Sequence, residues 1–539
     1  MLAGLTDRAA AALGRTRLGD AVRRTRDEAR GRRLQPTWTS LLGAVSMGSA
    51  AVLLVTGVIL MFFYVPSGEQ VAYQGGYAPL HGATVSKAFA STLGLSMDVS
   101  GGLLLRQAHH WAGLLLPAAL ILQLMTTYFS GAFRGLRRWA WALLVPLIVA
   151  VLADGWSGYA LPDDLLSGTG LRIVEGIALA IPLVGTWISA LLFGGGGFPG
   201  TIIENLYPVH VAIVPVVIVA LLVLRVRVAW RAGPTRIPVA HPRPPRPIPF
   251  ASAAGRSISV ASITAGILLL MGAAVTISPV WLSGPSDPGS ASAGSQPDWY
   301  TGFLDGALRL VPPGWEVEWL GRTWTLAVLV PLAVIGAFVL AVLLHPWLER
   351  WLTRDTSDPA LLDRPRNMPA RTALGVSALA FYGTLWGAAS ADVLSHLLHL
   401  DLESVILTFQ VLLFAGPVVG FVVTRRVALG LQARDAEQLA HGYETGRIVR
   451  LPGGRYEEIH RSLDADTARA IGTQSVSEAI PTRHGDGWRT PLDVLRVSLA
   501  HWYARDARRS APDAVPAVLR RSLADSGRPS SPVTGKMAG

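Results

Sequence analysis

The chain has 539 residues, of which 51% are hydrophobic and only 15% charged, with a mean hydropathy of +0.40 and a net charge of +11. That composition excludes an ordinary soluble enzyme and points to a polytopic membrane protein. Cysteine is absent; this excludes disulfides, thiolate-held clusters and thiolate-bound zinc, so any metal centre needs histidine or carboxylate ligands.

Residues 1–37 form an arginine-rich arm without an apolar core. No cleavable signal is evident there, and the first span serves as its own insertion signal. Eight spanning helices are expected near 40–63, 104–129, 139–154, 206–229, 258–281, 324–345, 370–390 and 403–424. The third is short and runs into "DGWSGYALPDD". Residues 171–193 are also apolar but interrupted by Pro182, Gly185 and the glycine run after Phe193; they read as a re-entrant or interfacial hairpin. Basic loops (Arg134, Arg137 and Arg138; Arg231 and Arg243; Arg350 and Arg364; Arg425) alternate with neutral or acidic ones (Asp98, Asp163, Asp298, Asp401). The positive-inside rule therefore places both termini in the cytoplasm of a multi-pass cell-membrane protein. The net charge is an orientation signal, and no nucleic-acid partner is expected.

The expected class is all-α: a basic arm (1–37), a bundle domain of four spans (38–257), a second membrane domain of four (258–424) and a cytoplasmic tail (425–539). In the tail, "RIVRLPGGRYEEIH" is a candidate for order against the membrane domain. The end, "ADSGRPSSPVTGKMAG", reads as disordered.

Three histidines fall well inside spans: His109 and His110 near the start of the second, and His210 near the start of the fourth. Both helices enter from the same face, so His109 and His210 lie at one depth. Such a pair suits a haem iron clamped between two helices. It equally suits a hydrogen-bonded polar pocket, and spacing alone does not choose.

Longer motifs carry a resemblance. "RQAHHW" (106–111), "SGAFRG" (130–135), "GYALPDDLLSGTGLR" (158–172), "FGGGGFPG" (193–200), "LYPVH" (206–210), "AGSQPDWY" (293–300) and "HGYETGRIVRLPGGRY" (441–456) occur in this order. Over about residues 38–460 the chain resembles the cytochrome b subunit of the actinobacterial cytochrome bc complex. The resemblance implies a four-helix bundle in which four histidines hold two b haems. The outer pair maps onto His109 and His210, and Arg106 is placed to pair with a haem propionate or to snorkel to the interface. His110 is assigned to packing or a hydrogen bond. The inner pair is missing: Gln123 stands fourteen residues after His109 and Arg225 fifteen after His210. Glycines repeat the asymmetry. Gly57 and Gly158 match the outer positions and Gly43 one inner position, but Leu144 stands at the other. One haem b is expected where the family has two.

"PDWY" resembles the family's quinol-oxidation motif, with Asp298 as proton acceptor and Tyr300 orienting the ring hydroxyl. Read alone, it is a turn with Asp298 as a local cap. The resemblance further implies menaquinone as substrate and a homodimer in membrane lipid. It implies as partners a Rieske iron–sulfur subunit, docking near Gly194–Gly200, a c-type cytochrome subunit and a haem-copper oxidase. Two functions stay open: a menaquinol–cytochrome c reductase subunit, its full proton-pumping cycle in doubt, or a non-catalytic structural or assembly paralogue.

Overall fold

In the computed structural model, residues 17–510 are described apart from 36, 196–197, 237–245, 288, 291–295, 297, 356–357, 465–466, 469–470 and 477–490. The expected disordered end and Arg243 lie outside the described residues.

Among the described residues seven helices are long and apolar enough to cross a membrane, and an eighth span is a bent pair. The spans are Thr39–Leu60, Gly102–Phe129, Arg138–Ala160, Ile202–Ala232, Phe250–Ala274, Leu326–Thr353, Pro369–Ala388 with Ala391–Leu398 (bent by 67°) and Leu402–His441. They are numbered one to eight below. Seven of the eight expected spans are single long apolar helices, and the seventh in chain order coincides with the bent pair. Each is apolar on nearly every face, because the outward side chains meet lipid rather than water. Leu54, in the middle of span one, is 65% exposed in the isolated chain, as a lipid-facing residue should be.

The third span is the main correction to the expected boundaries. It continues through Asp154 and Gly158 to Ala160, and "DGWSGY" is its last turns, not a loop. Asp154 sits on the helix because its backbone carbonyl serves another span. The hairpin expected at 171–193 is helical on both arms, Leu165–Ala180 and Gly185–Phe193. Asp164 and Ser167 form a reciprocal capping box at its start.

Spans one and two pack along their length, five lies across both, three packs on four, six on three, and seven on eight. The face that carries both ends of the described chain, Arg17 and Ser510, is called the terminal face here. There Arg33–Leu34 pairs with Ile248–Pro249. The opposite, far face carries the 165–193 hairpin and the long loop between spans five and six.

The tail departs from expectation. Tyr443–Arg450 and Tyr456–Arg461 form an antiparallel hairpin, as "RIVRLPGGRYEEIH" suggested, but its residues are almost all exposed rather than laid against the membrane domain. The segment that docks is the helix Pro491–Ala504. Its Ala500, Tyr503 and Ala504 pack on Met368 and Ala370 at the start of span seven.

That docking closes a buried ionic cluster. Arg371, fully buried, pairs with Glu349 at 3.2 Å and Asp363 at 2.8 Å. Arg134 of "SGAFRG" reaches Asp363 at 3.2 Å, and Arg509 pairs with Asp355. The Tyr503 hydroxyl donates to Glu349 Oε2 at 2.6 Å. Burial, and then the Glu349 carboxylate, push that hydroxyl's pKa far up, so it stays a donor. Removing one member of such a cluster strands the others in a dry site. Arg371→Met is expected to cost about 3–5 kcal/mol, read as a lowered unfolding midpoint by circular dichroism in detergent. Tyr503→Phe is expected to cost only about 1 kcal/mol. Equal midpoints for the two variants would contradict the cluster.

Candidate functional site

The site is assembled from spans one to four at their far-face ends. His210 lies in a π-helical turn, Val209–Ile213, between Pro208 and Pro215. The extra residue in that turn re-aims the imidazole, a common use of π-bulges at functional sites. Its Nδ1–H donates to the Asp154 carbonyl at 3.0 Å. On span one, the Thr56 hydroxyl donates to the Val52 carbonyl at 2.6 Å and accepts from His109 Nδ1–H at 2.9 Å. Both rings therefore hold their proton on Nδ1 and keep the Nε2 lone pair free, the tautomer a metal requires. The two ring centroids stand 6.2 Å apart.

Glycines make room beside both rings. A Cβ on Gly57 would lie 3.1 Å from His109 Cε1, and one on Gly158 would lie 2.5 Å from His210 Cε1. Arg106 donates to the Ser278 carbonyl at 3.3 Å, but its Nε and Nη2 are buried without a hydrogen-bond partner. It does not snorkel to water.

The rest of "RQAHHW" ties span two to the far-face loop. Gln107, fully buried, exchanges two hydrogen bonds with the Ile277 backbone, at 2.8 and 2.9 Å. Trp111 Nε1 donates to the Val275 carbonyl at 3.0 Å. The loop so anchored brings "PDWY" against the bundle. Trp299 Nε1 donates to the Leu114 carbonyl, and the Trp386 indole donates to the Trp299 carbonyl.

Asp298 is not a local cap. Its backbone carbonyl takes the turn bonds from Thr301, while its carboxylate takes the Tyr300 hydroxyl at 2.9 Å and lies 3.3 Å from His110 Nε2. Tyr300 is fully buried, and a Cβ on Gly155 would strike its hydroxyl at 2.5 Å. Burial, and then the adjacent Asp298 carboxylate, push the Tyr300 pKa well up, so it stays a donor throughout the neutral range. Both residues line a cavity of about 1030 Å³ whose walls are overwhelmingly apolar. Burial raises the nearby Asp163 carboxyl to about 6, with a Ser86 hydrogen bond opposing it.

The sequence singled out His109, His210, Gly57, Gly158, Arg106, Asp298 and Tyr300, and all lie in this far-face region. It missed Thr56, the Asp154 carbonyl, Gly155 and the partner of His110. Backbone acceptors carry no sequence signal. Gly155, three residues before Gly158, was the one visible hint.

At the inner position the residues pair with one another. Arg225 Nη2 donates to Gln123 Oε1 at 3.1 Å, and Gln123 Nε2 donates to Ser46 Oγ at 2.8 Å and the Leu42 carbonyl at 3.3 Å. Leu144, 1% exposed, packs with Leu116, Leu120, Leu147, Ile148 and Val151 in one apolar cluster.

Spanning helices with two neighbouring imidazoles, His109 of the second and His210 of the fourth, at a centroid distance of 6.2 Å define a polytopic helical membrane protein with a paired-histidine site. Comparison with known proteins places it further. A family model described as cytochrome b (N-terminal)/b6/petB matches residues 114–285. The chain is 40% identical over 443 residues to the cytochrome bc1 complex cytochrome b subunit of Streptomyces coelicolor, covering 80% of each. It is 40% identical over 437 residues to that of Mycobacterium tuberculosis, covering 79% of this chain and 78% of the relative. It shares the fold of a solved chain titled hyperthermophilic respiratory Complex III, at a TM-score of 0.55 and 18% identity, covering 78% of this chain and 99% of that one. The chain belongs to the cytochrome b subunit family of cytochrome bc1 complexes.

Proposed function

We propose that this chain oxidises menaquinol at its far face as the cytochrome b subunit of a bc1-type reductase, and that it holds one b haem rather than two. The observation that carries the proposal is the His109–His210 pair. A metal held by both Nε2 atoms, with bonds of about 2 Å and about 1.1 Å from each nitrogen to its ring centre, would put the centroids roughly 6.2 Å apart. The observed separation is 6.2 Å. The glycines at 57 and 158 let the two imidazoles seat closely against spans one and three, where any side chain would displace them. The unpaired Nε–H and Nη2–H of Arg106 suit a propionate. Haem b, when bound, supplies a one-electron acceptor.

The protein's own residues handle the proton. Asp298 is held from both sides by His110 and Tyr300 at the mouth of the cavity. A menaquinol hydroxyl brought to it loses its proton to the carboxylate as its electrons leave. Tyr300, fixed as a donor, orients the headgroup, and the apolar walls take the polyprenyl tail.

The inner position does not fit a second haem. Gln123 and Arg225 offer no ordinary iron ligand, and the Leu144 side chain fills its place in a packed core. This loss favours the alternative, a structural or assembly paralogue without electron transfer. The intact far-face site favours the reductase. We also propose that the terminal face is cytoplasmic, and that the partners are a Rieske subunit near Gly194–Gly200, a c-type cytochrome subunit, a haem-copper oxidase and a second copy of this chain.

A pyridine haemochrome assay on the purified protein tests the haem count, with one b haem per chain expected. Two would remove the inner-site argument. None, in cells supplied with haem, would leave only the paralogue reading.

A further inference from the structure

The far-face loop between spans five and six carries a feature that neither the paired histidines nor the Asp298 cavity uses. After the helix Gly302–Arg309 the chain forms an antiparallel hairpin, Glu316–Trp319 with Arg322–Thr325, and enters span six at the next residue, Leu326. The pairing register sorts its side chains onto two faces. Val317, Trp319 and Trp324 share one face, and Trp315 continues the alternation just before the first strand. Glu316, Glu318, Thr323 and Thr325 share the other. The hairpin is therefore amphipathic, yet the protein does not cover its apolar face. Trp319 is 59% exposed, and Trp315 and Val317 are exposed as well.

The tip makes the same point through its backbone. Leu320 and Gly321 both have positive φ, 54° and 68°, as in the two-residue turns that match a hairpin's twist. Glycine or asparagine is comfortable in such a turn, and leucine is strained there. Leu320 is nonetheless 75% exposed, so packing within the chain does little to offset that strain. The apolar face is also stiff. The Trp319 and Trp324 rings lie 5.4 Å apart, and the Trp324 indole donates to the Trp319 carbonyl at 3.0 Å. The Ala327 amide of span six donates to the Trp315 carbonyl at 3.0 Å and fixes the hairpin's base.

What covers this face follows from where it stands. From Leu326 to Trp347, span six rises about 32 Å at 1.5 Å per residue, close to the thickness of a bilayer's hydrocarbon core. Its sides are open to lipid at Val334 and Leu340. The hairpin thus starts at the lipid boundary, and its short strands reach only about 13 Å from it. Tryptophan is the side chain that membrane interfaces favour. Arg322 pairs with Trp319 in the register and makes no ion pair with a described residue. Its stem can cover apolar surface while its guanidinium meets a lipid phosphate. Glu316 and Glu318, on the opposite face, stay clear of anionic headgroups.

We propose that the 315–325 hairpin is a membrane foot. It lies flat on the far-face leaflet, with Trp315, Val317, Trp319, Leu320 and Trp324 at the boundary of headgroups and hydrocarbon and Arg322 on a lipid phosphate. The occupant of the apolar face is lipid, not a second protein. A foot fixed where span six begins also holds the loop that carries Asp298 from its C-terminal side. The inference is independent of the haem and quinol readings.

The chain has no cysteine, so one introduced thiol is a unique labelling site. The full chain, with the subunits that purify with it, is spin-labelled at Val317→Cys or at Glu318→Cys. It is then placed in nanodiscs of phosphatidylcholine and phosphatidylglycerol. These neighbours stand side by side on opposite faces of one strand. Power-saturation electron paramagnetic resonance compares collisions with oxygen, which concentrates in lipid, and with a nickel chelate, which stays in water. Oxygen is expected to dominate at 317 and the nickel chelate at 318. Leu320→Cys, at the tip, is a second probe of the apolar side and is expected to behave as 317 does. Adding Arg322→Glu to Val317→Cys is expected to raise nickel access by about fivefold, the worth of one basic residue at an anionic surface. Nickel access that dominates at both 317 and 320 overturns the proposal. Few collisions with either reagent there, the mark of a protein contact, overturns it in favour of a partner subunit or a second copy. Nickel access unchanged by Arg322→Glu overturns the phosphate contact.

Discussion

His210→Leu is expected to remove essentially all of the b-type absorbance from the purified protein, measured as a dithionite-reduced minus oxidised spectrum. The imidazole is the group that span four contributes at this depth, and its π-turn exists to aim it. Its Nδ1–H donation to the Asp154 carbonyl fixes the tautomer, so a leucine removes both the ligand and its orientation. The substitution is not expected to unfold the chain, because leucine is favourable in a spanning helix. The contrast is with the inner position. Gln123→Leu and Arg225→Leu are expected to leave the spectrum intact, since these side chains bond to each other and to Ser46. A spectrum that survives His210→Leu, or that vanishes in Gln123→Leu, would reverse the assignment of the two positions.

The second large effect is at the carboxylate. Asp298→Asn is expected to lower menaquinol oxidation by about 10²–10⁴-fold, the usual worth of a positioned general base. Haem content should not change. The amide keeps the shape and can still accept the Tyr300 hydrogen bond, so the loss isolates proton acceptance from packing. Tyr300→Phe removes one hydrogen bond, worth about 0.5–1.5 kcal/mol, and is expected to cost at most roughly tenfold. Because the Tyr300 hydroxyl is pushed well above its ordinary range, it stays protonated through neutral pH, and no fall in rate there is expected from its ionisation. Asp298→Asn turnover within a few-fold of the parent would show that the proton leaves elsewhere.

Much of this protein is legible in its sequence because lipid imposes so strong a constraint. A helix that must bury every backbone group in hydrocarbon needs about twenty apolar residues, and eight such runs stand out. Charge in the loops pointed to an orientation by the same reasoning. The histidines and glycines of the far-face site stood out through the family resemblance, and their proposed role follows from how few residue types could hold iron or leave room for a macrocycle. The proposed loss of the inner ligands rests on the same resemblance, with Gln123 and Arg225 standing at the family's helical spacing.

Tertiary structure decided what depends on pairing across the fold. His110 was assigned to packing or a hydrogen bond; only the folded loop shows that its partner is Asp298, 188 residues away. Asp154 meets His210 Nδ1 with both its backbone carbonyl, at 3.0 Å, and its carboxylate, at 3.4 Å, a pairing across 56 residues that only the fold brings together. The third span runs six residues past its expected end, and there the Asp154 carbonyl takes hydrogen bonds from the Ser157 hydroxyl and from His210 of span four. The tail was misjudged in the same way. The motif-bearing hairpin is exposed, whereas an unremarkable amphipathic stretch, Pro491–Ala504, docks because Tyr503 and Arg509 complete charges already buried in the membrane domain. The sequence by itself determined the spans and the residues able to carry chemistry, since both follow from what a side chain is. Which of those groups meet, and which cavity joins them, belonged to the tertiary structure, since both follow from where distant segments are brought together.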